Sequence, residues 1–195
     1  MSNDEASRKA RLRRYLDSAR DAVLWKAEGL GEAQLRRPLV PSGTSILGVI
    51  NHLAFTEFGY FSYCMSRPVD NDRAARLFAS EDPMADFVVE AGFSGAEVLR
   101  FYREAITASD AAFDELPLDA PAHVEWWGEN GHTTLEHLML HMCTETARHA
   151  GHLDLLRELL DGRTGMYRQN DNLPDYSPEQ WQEHYDRVKD IADSV

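Results

Sequence analysis

Apolar residues recur at helical spacing in four long stretches of the chain and in one shorter one. In the first, from about Glu5 to Glu28, Leu12, Tyr15, Leu16, Ala19, Val23 and Lys26 follow a helical period. Gly29 and Gly31 end it, and Pro38 and Pro41 break up the next stretch. The second opens at Ser42-Gly43-Thr44-Ser45, with Thr44 or Ser45 as N-cap, and runs to about Met65. Ile46, Ile50, Leu53 and Phe61 lie on one side of it, and Val49, Phe55, Tyr60 and Tyr63 on the other. A helix apolar on nearly every side is a buried one, so this element belongs at the centre of the fold.

Residues 67–93 are polar and irregular, a long crossover with room for a short helix. The third pattern starts from a capping box of Ser94 and Glu97 and continues through Val98, Phe101, Tyr102, Ala105, Ala112 and Leu116. Pro117 and Pro121 then introduce a loop carrying the stretch EWWGENGH. The fourth helix is capped by Thr133, with Glu136 three residues on, and is stopped by Gly162. A last one begins at Ser177-Pro178 and places Trp181, Tyr185, Val188 and Ile191 on one face. No stretch alternates convincingly enough to be a strand, and there is no internal repeat. The pattern predicts an all-α fold: a four-helix bundle with long crossover connections and an additional C-terminal helix packed against it.

A length of 195 residues suits one domain with a sizeable core, and 43% apolar with 10% aromatic residues is ordinary for a globular protein. The net charge of −13 argues against nucleic acid and anionic membranes as partners, because both require clustered positive charge. The basic run Arg8, Lys9, Arg11, Arg13 and Arg14 lies within a helical period and reads as a solvated face. Cys64 and Cys143 are far apart and sit in apolar segments, which makes them core residues rather than a disulfide or a thiolate zinc site. With no signal-peptide core and no membrane-length apolar run, the expected location is the cytoplasm.

The chemistry concentrates in the fourth helix, which holds four of the eight histidines. A seam of alternating three- and four-residue steps reads Leu135, Leu138, Met142, Glu145, His149, His152, Leu156, Leu159, with a polar trio between apolar ends. Glu145 and His149 are one turn apart and about 40° apart around the axis. An ionised carboxylate facing a bundle core needs a compensating partner. His149 alone would give a hydrogen-bonded pair; a divalent metal would satisfy both residues. His52, in the middle of the buried second helix, is the best third ligand, with Gly48, Thr56 and Gly59 leaving its face open beside the imidazole. Three protein ligands leave positions for water or substrate, as catalytic sites do. His152 is placed as a substrate-binding or orienting group, or equally as a satisfied core histidine. His141 falls at the edge of the stripe and His137 further round. A zincin reading of His137 and His141 fails, because position 138 is Leu and not Glu. Trp126, Trp127 and His132 precede the helix and either line the mouth of the site or merely cover the bundle.

The blocks PSGTSILGVINHLAFTEFGYF and TTLEHLMLHMCTETARHAGHLDLLRELLDGRTG, with WWGE ahead of the second, resemble the actinobacterial DUF664 branch of the DinB/YfiT-like superfamily. The resemblance runs from about residue 8 to 168 and implies a four-helix bundle as the core of a single domain over residues 1–195, to which the residue pattern adds the extra helix at 177–194. It further implies a metal held by His52, Glu145 and His149; by their positions in the pattern, His152, Trp127, Thr56 and His141 are the candidates for orienting or substrate-binding residues around it. The Glu variant resembles the mycothiol-dependent maleylpyruvate isomerases. Asn51 stands where much of the branch carries a basic residue. A thiol S-transferase is therefore expected, in which a divalent metal stabilises the thiolate of a mycothiol-like cosubstrate for attack on an electrophilic small molecule. The donor set suits zinc, with Ni, Fe, Mn and Co also open. The superfamily often forms dimers, which makes a homodimer the expected assembly. Two alternatives stay open: a metal-dependent hydrolase or isomerase that activates water, and a non-catalytic metal-binding stress-response protein.

Overall fold

The computed structural model describes residues 3–169 and 171–195. Its long helices are α1 (Asn3–Ala27), α3 (Ile46–Phe61), α5 (Gly95–Glu115) and α6 (Leu135–Asp161). The shorter ones are α2 (Glu32–Arg36), α4 (Asp72–Phe78) and α7 (Pro178–Asp193). The termini follow the local chemistry. Ser45 caps α3 by accepting from the Gly48 N–H, and Ser94 and Glu97 form the capping box of α5. Gly29 and Gly162, both in the left-handed region, close α1 and α6. The cap of α6 is Thr134, one residue later than the sequence pattern places it; Thr133 instead hydrogen-bonds the His137 ring.

Helix α3 is central. It packs mainly on α5, then on α6 and α1, while α1 lies along α6. The apolar interior falls into two clusters. One holds Val23, Ile50, Leu53, Phe101 and Leu153, and the other Leu16, Phe61, Phe113, Leu138 and Met142. Among these apolar side chains every long helix contributes polar groups: Arg20 from α1, His52 and Glu57 from α3, Ser109 from α5, Glu145 and His149 from α6. The functional question is what these polar groups are for.

Three expectations change. The loop before α6 contains two three-residue antiparallel strands, β1 (Pro121–His123) and β2 (His132–Thr134), paired from Pro121 to Thr134 and from His123 to His132. Such strands are too short for alternation to reveal them. The C-terminal helix α7 forms as expected, with Ser177 as cap and Pro178 at its first position, but none of its residues is buried. Trp181, Tyr185 and Val188 line an open groove beside the end of α6 instead of packing into the bundle, and Ile191 is exposed as well. Amphipathicity encodes the helix and its apolar face, but not a partner for it.

The third change is in α6. Its buried stripe runs Leu135, Leu138, Met142, Thr146, His149, Leu153, Leu156, while Glu145 is half-buried and His152 and Leu159 are exposed. A seven-residue seam drifts by about 20° per heptad around a straight helix. Along the series Leu138, Glu145, His152, Leu159 that drift carries each successive side chain further out of the core. Glu145 therefore sits on the rim and not in the middle of the stripe, and this leaves it open to a cleft.

No helix among the described residues is long and apolar enough to cross a membrane.

Candidate metal centre

His52 projects from the middle of α3 towards Glu145 and His149 on α6. The His52 Nε2 and His149 Nε2 atoms lie 3.3 and 3.1 Å from the same carboxylate oxygen, Glu145 Oε1. One donor atom from each of the three residues falls within 4.8 Å of the others. The His52 and His149 rings are 4.7 Å apart, centroid to centroid. On α6 the pair comes together because i and i+4 share a helix face. Across the helices it forms because α3 and α6 are in direct contact.

The electrostatics agree with a charged carboxylate waiting for a cation. Hydrogen bonds from His149 and His52 hold the Glu145 carboxyl far below the usual carboxylate range, against the opposing effect of burial. Burial disfavours a charged His52, yet its hydrogen bonds to Asp86 and Glu145 outweigh that and raise its pKa. Two imidazoles and one carboxylate, converging on one point at the rim of the core, fit a borderline-soft divalent ion with room for a further ligand.

The outer shell comes largely from the segment read in the sequence as an irregular crossover. That segment folds as α4 and a 3-10 turn, Ala85–Phe87. Asp86 Oδ2 accepts from the Nδ1 side of His52 at 2.7 Å, and Phe87 stacks on the same ring at 4.1 Å. Nothing in the local pattern flagged either residue. The one available signal was length, since long irregular connections inside compact domains are often functional. Gly48, expected to leave space beside the imidazole, is instead covered by the crossover: a Cβ there would lie 2.5 Å from the Phe87 carbonyl oxygen.

The remaining predicted residues spread around the centre. His152 is exposed, with its Nδ1 3.4 Å from His149 Nδ1, so it meets the far side of the His149 ring and does not line the cleft. Burial, then the neighbouring His149 and Arg148, lower its pKa. Thr56 lines the cleft and donates to the Leu53 carbonyl. His141 packs edge-on against Tyr60 and Trp127 and is held towards the neutral form by burial. Trp126, and not Trp127, lines the cleft; Trp127 packs behind it on Tyr60 and His137.

The cleft itself, about 710 Å³, is lined by His52 and Glu145 and by the aromatic side chains of Phe55, Tyr60, Phe78 and Trp126. Neither cysteine lines it. Both are free; burial pushes the Cys64 thiol up to about 12 and raises that of Cys143. A protonated thiol is a poor nucleophile, so the protein brings none of its own from this source.

A helical bundle whose second long helix presents a His to a Glu-x-x-x-His pair on the last is an architecture of the DinB/YfiT-like class. Residues 11–162 match the model of the mycothiol-S-transferase family, and the chain belongs to that family. Family membership makes it an enzyme of thiol S-transfer. Helix α7 lies outside the matched span. No curated protein matches the chain.

Proposed function

We propose that the chain is a metal-dependent mycothiol S-transferase whose ligands are His52, Glu145 and His149 and whose nucleophile is the cosubstrate thiolate. The observation that carries the reading is the convergence of two imidazole Nε2 atoms on one oxygen of Glu145, a residue that lines an open cleft together with His52. A divalent ion at that point would supply Lewis-acid stabilisation of a thiolate at neutral pH. Two imidazoles with a carboxylate suit zinc, and Ni, Fe, Mn and Co are compatible donor-set alternatives.

The chain's own groups do the rest. Burial and the interhelical packing hold the two histidines in place, so little ordering is needed when substrates arrive. The aromatic walls offer flat apolar surface for the acceptor and exclude water from the thiolate's side of the cleft. Tyr60, whose hydroxyl accepts from Trp126 Nε1 at 3.4 Å, fixes the hairpin side of that wall. Free cysteines fit a reducing cytoplasm, and the exposed apolar faces of α6 and α7, including Leu155, Leu159 and Tyr185, are available to a second copy in a homodimer.

The test has two arms. Metal content of the purified protein is compared with that of a His52→Ala/His149→Ala double variant, and equal content in both removes the site assignment. Consumption of an electrophilic acceptor is then followed with and without mycothiol. Turnover is expected only with the thiol present; equal turnover in its absence points to activated water and a hydrolase.

A further inference from the structure

The crossover is bound to the bundle more firmly than a connection requires, and Asn51 holds two of its parts at once. Asn51, fully buried on α3, donates through Nδ2 to the Asp86 backbone carbonyl at 2.6 Å. Its Oδ1 accepts from Arg73 Nε at 2.7 Å. Arg73, on α4, is itself buried, pairs with Glu90 at 2.9 Å and lies over the Phe93 ring at 4.0 Å. At the far end Arg36 donates to the carbonyls of Val89, Glu90 and Phe93. Gly48 completes the seat, because only a residue without Cβ allows the Phe87 carbonyl so near α3.

Burying a guanidinium and an amide is costly unless each is paired, so a purely connecting segment gains little from such a clamp. The achievement of the clamp is geometric. It puts the Asp86 carboxylate against His52 Nδ1 at 2.7 Å and the Phe87 ring flat on the imidazole. A carboxylate on Nδ1 keeps a proton on that nitrogen and aims Nε2 at the point where Glu145 and His149 meet, so that once Nε2 gives up its own proton its lone pair is placed for a metal.

We propose that Asp86 is a positioning residue for His52, and that the Asn51–Arg73 clamp and the Gly48 seat exist to deliver it, making the crossover part of the metal centre. The inference rests on the reading of His52 as a ligand. It also accounts for Asn51, whose amide bridges the crossover backbone to Arg73 with one donor and one acceptor, a combination that a basic side chain does not offer.

The experiment measures zinc(II) and cobalt(II) affinity by competition with a chromophoric chelator, on the full chain and on Asp86→Ala, Asp86→Asn and Gly48→Ala. Loss of an outer-shell partner typically costs roughly 10- to 100-fold in metal affinity. Asp86→Ala is expected to fall in that range. Asp86→Asn, whose amide oxygen still accepts from Nδ1–H, should recover most of the loss. Gly48→Ala touches no donor atom, yet it should weaken binding and shift the cobalt d–d bands by displacing the turn. A merely structural Asp86 predicts instead that Ala and Asn variants are equally impaired. That result, or affinity within about twofold of wild type for Asp86→Ala or Gly48→Ala, overturns the inference while leaving the ligand assignment standing. A wild-type protein that binds neither ion overturns both. Circular dichroism of each variant identifies any that does not fold, and the Gly48 and Asp86 substitutions decide the question independently.

Discussion

The polar groups of the bundle include two carboxylates treated in opposite ways. Glu57, on α3, is fully buried and has its cation built in. Arg20 from α1 donates to both of its oxygens, at 2.7 and 2.6 Å, and Ser109 from α5 adds a third bond at 2.6 Å. Burial works against the charge on Arg20, but Glu57 outweighs it and raises the guanidinium pKa further. Glu145, on α6, is half-buried at the rim and faces two imidazoles, with no arginine or lysine paired to it among the described residues. One site carries a permanent cation and is closed; the other offers only titratable partners and is open. A carboxylate in a bundle needs a positive charge in both cases, and the choice between arginine and histidine decides whether that charge can be exchanged for a metal.

The contrast can be broken first at Arg20. Arg20→Ala strands a buried carboxylate and should cost about 3–5 kcal/mol of unfolding free energy in urea titrations. An Arg20→Met/Glu57→Met double variant should lose far less, because no charge is left unpaired. A single-variant cost below ~1 kcal/mol would show that water reaches Glu57 and that the two sites are not different in kind.

Glu145→Gln should reverse the balance of effects. Zinc affinity is expected to fall by at least ~100-fold, about 2.7 kcal/mol, while unfolding of the metal-free protein moves by less than ~1 kcal/mol. Comparable losses in both measurements would make Glu145 a structural residue like Glu57.

The smallest effect is the dependence on pH. In the metal-free protein His52 has a raised pKa, so its stabilising pair is complete below about pH 6.5 and is lost as pH climbs through the folded value. Glu145 has a lowered pKa, so its share persists above about pH 4.5 and disappears only in stronger acid. Zinc must displace the His52 proton, so its affinity should rise over the same window in which metal-free stability declines, and level off above the folded pKa. Arg20 keeps its proton throughout and should produce no such crossing. Calorimetric titration with zinc between about pH 5.5 and 8, set beside thermal unfolding, would reveal parallel slopes if the histidines were not the exchangeable partners.

Everything that local periodicity and end chemistry can encode is already present in the sequence. The four long helices are legible in their apolar spacing, their ends in Ser45, Ser94 and Gly162, and Glu145 with His149 in a one-turn spacing that needs no knowledge of the rest of the chain. His52 is legible too, because a histidine in an otherwise apolar central helix has few reasons to be there. Which side chains of α6 face the core required the packed bundle, and with it the placing of Glu145 at the rim and His152 outside. So did the uncovered apolar face of α7, the answer of Arg20 to Glu57 across 37 positions, and the reach of Asp86 to His52 across 34. The reason is one of range: helix spacing and capping are settled within a few residues, whereas the pairing of buried charges and the seating of an aperiodic crossover depend on groups brought together only when the bundle closes.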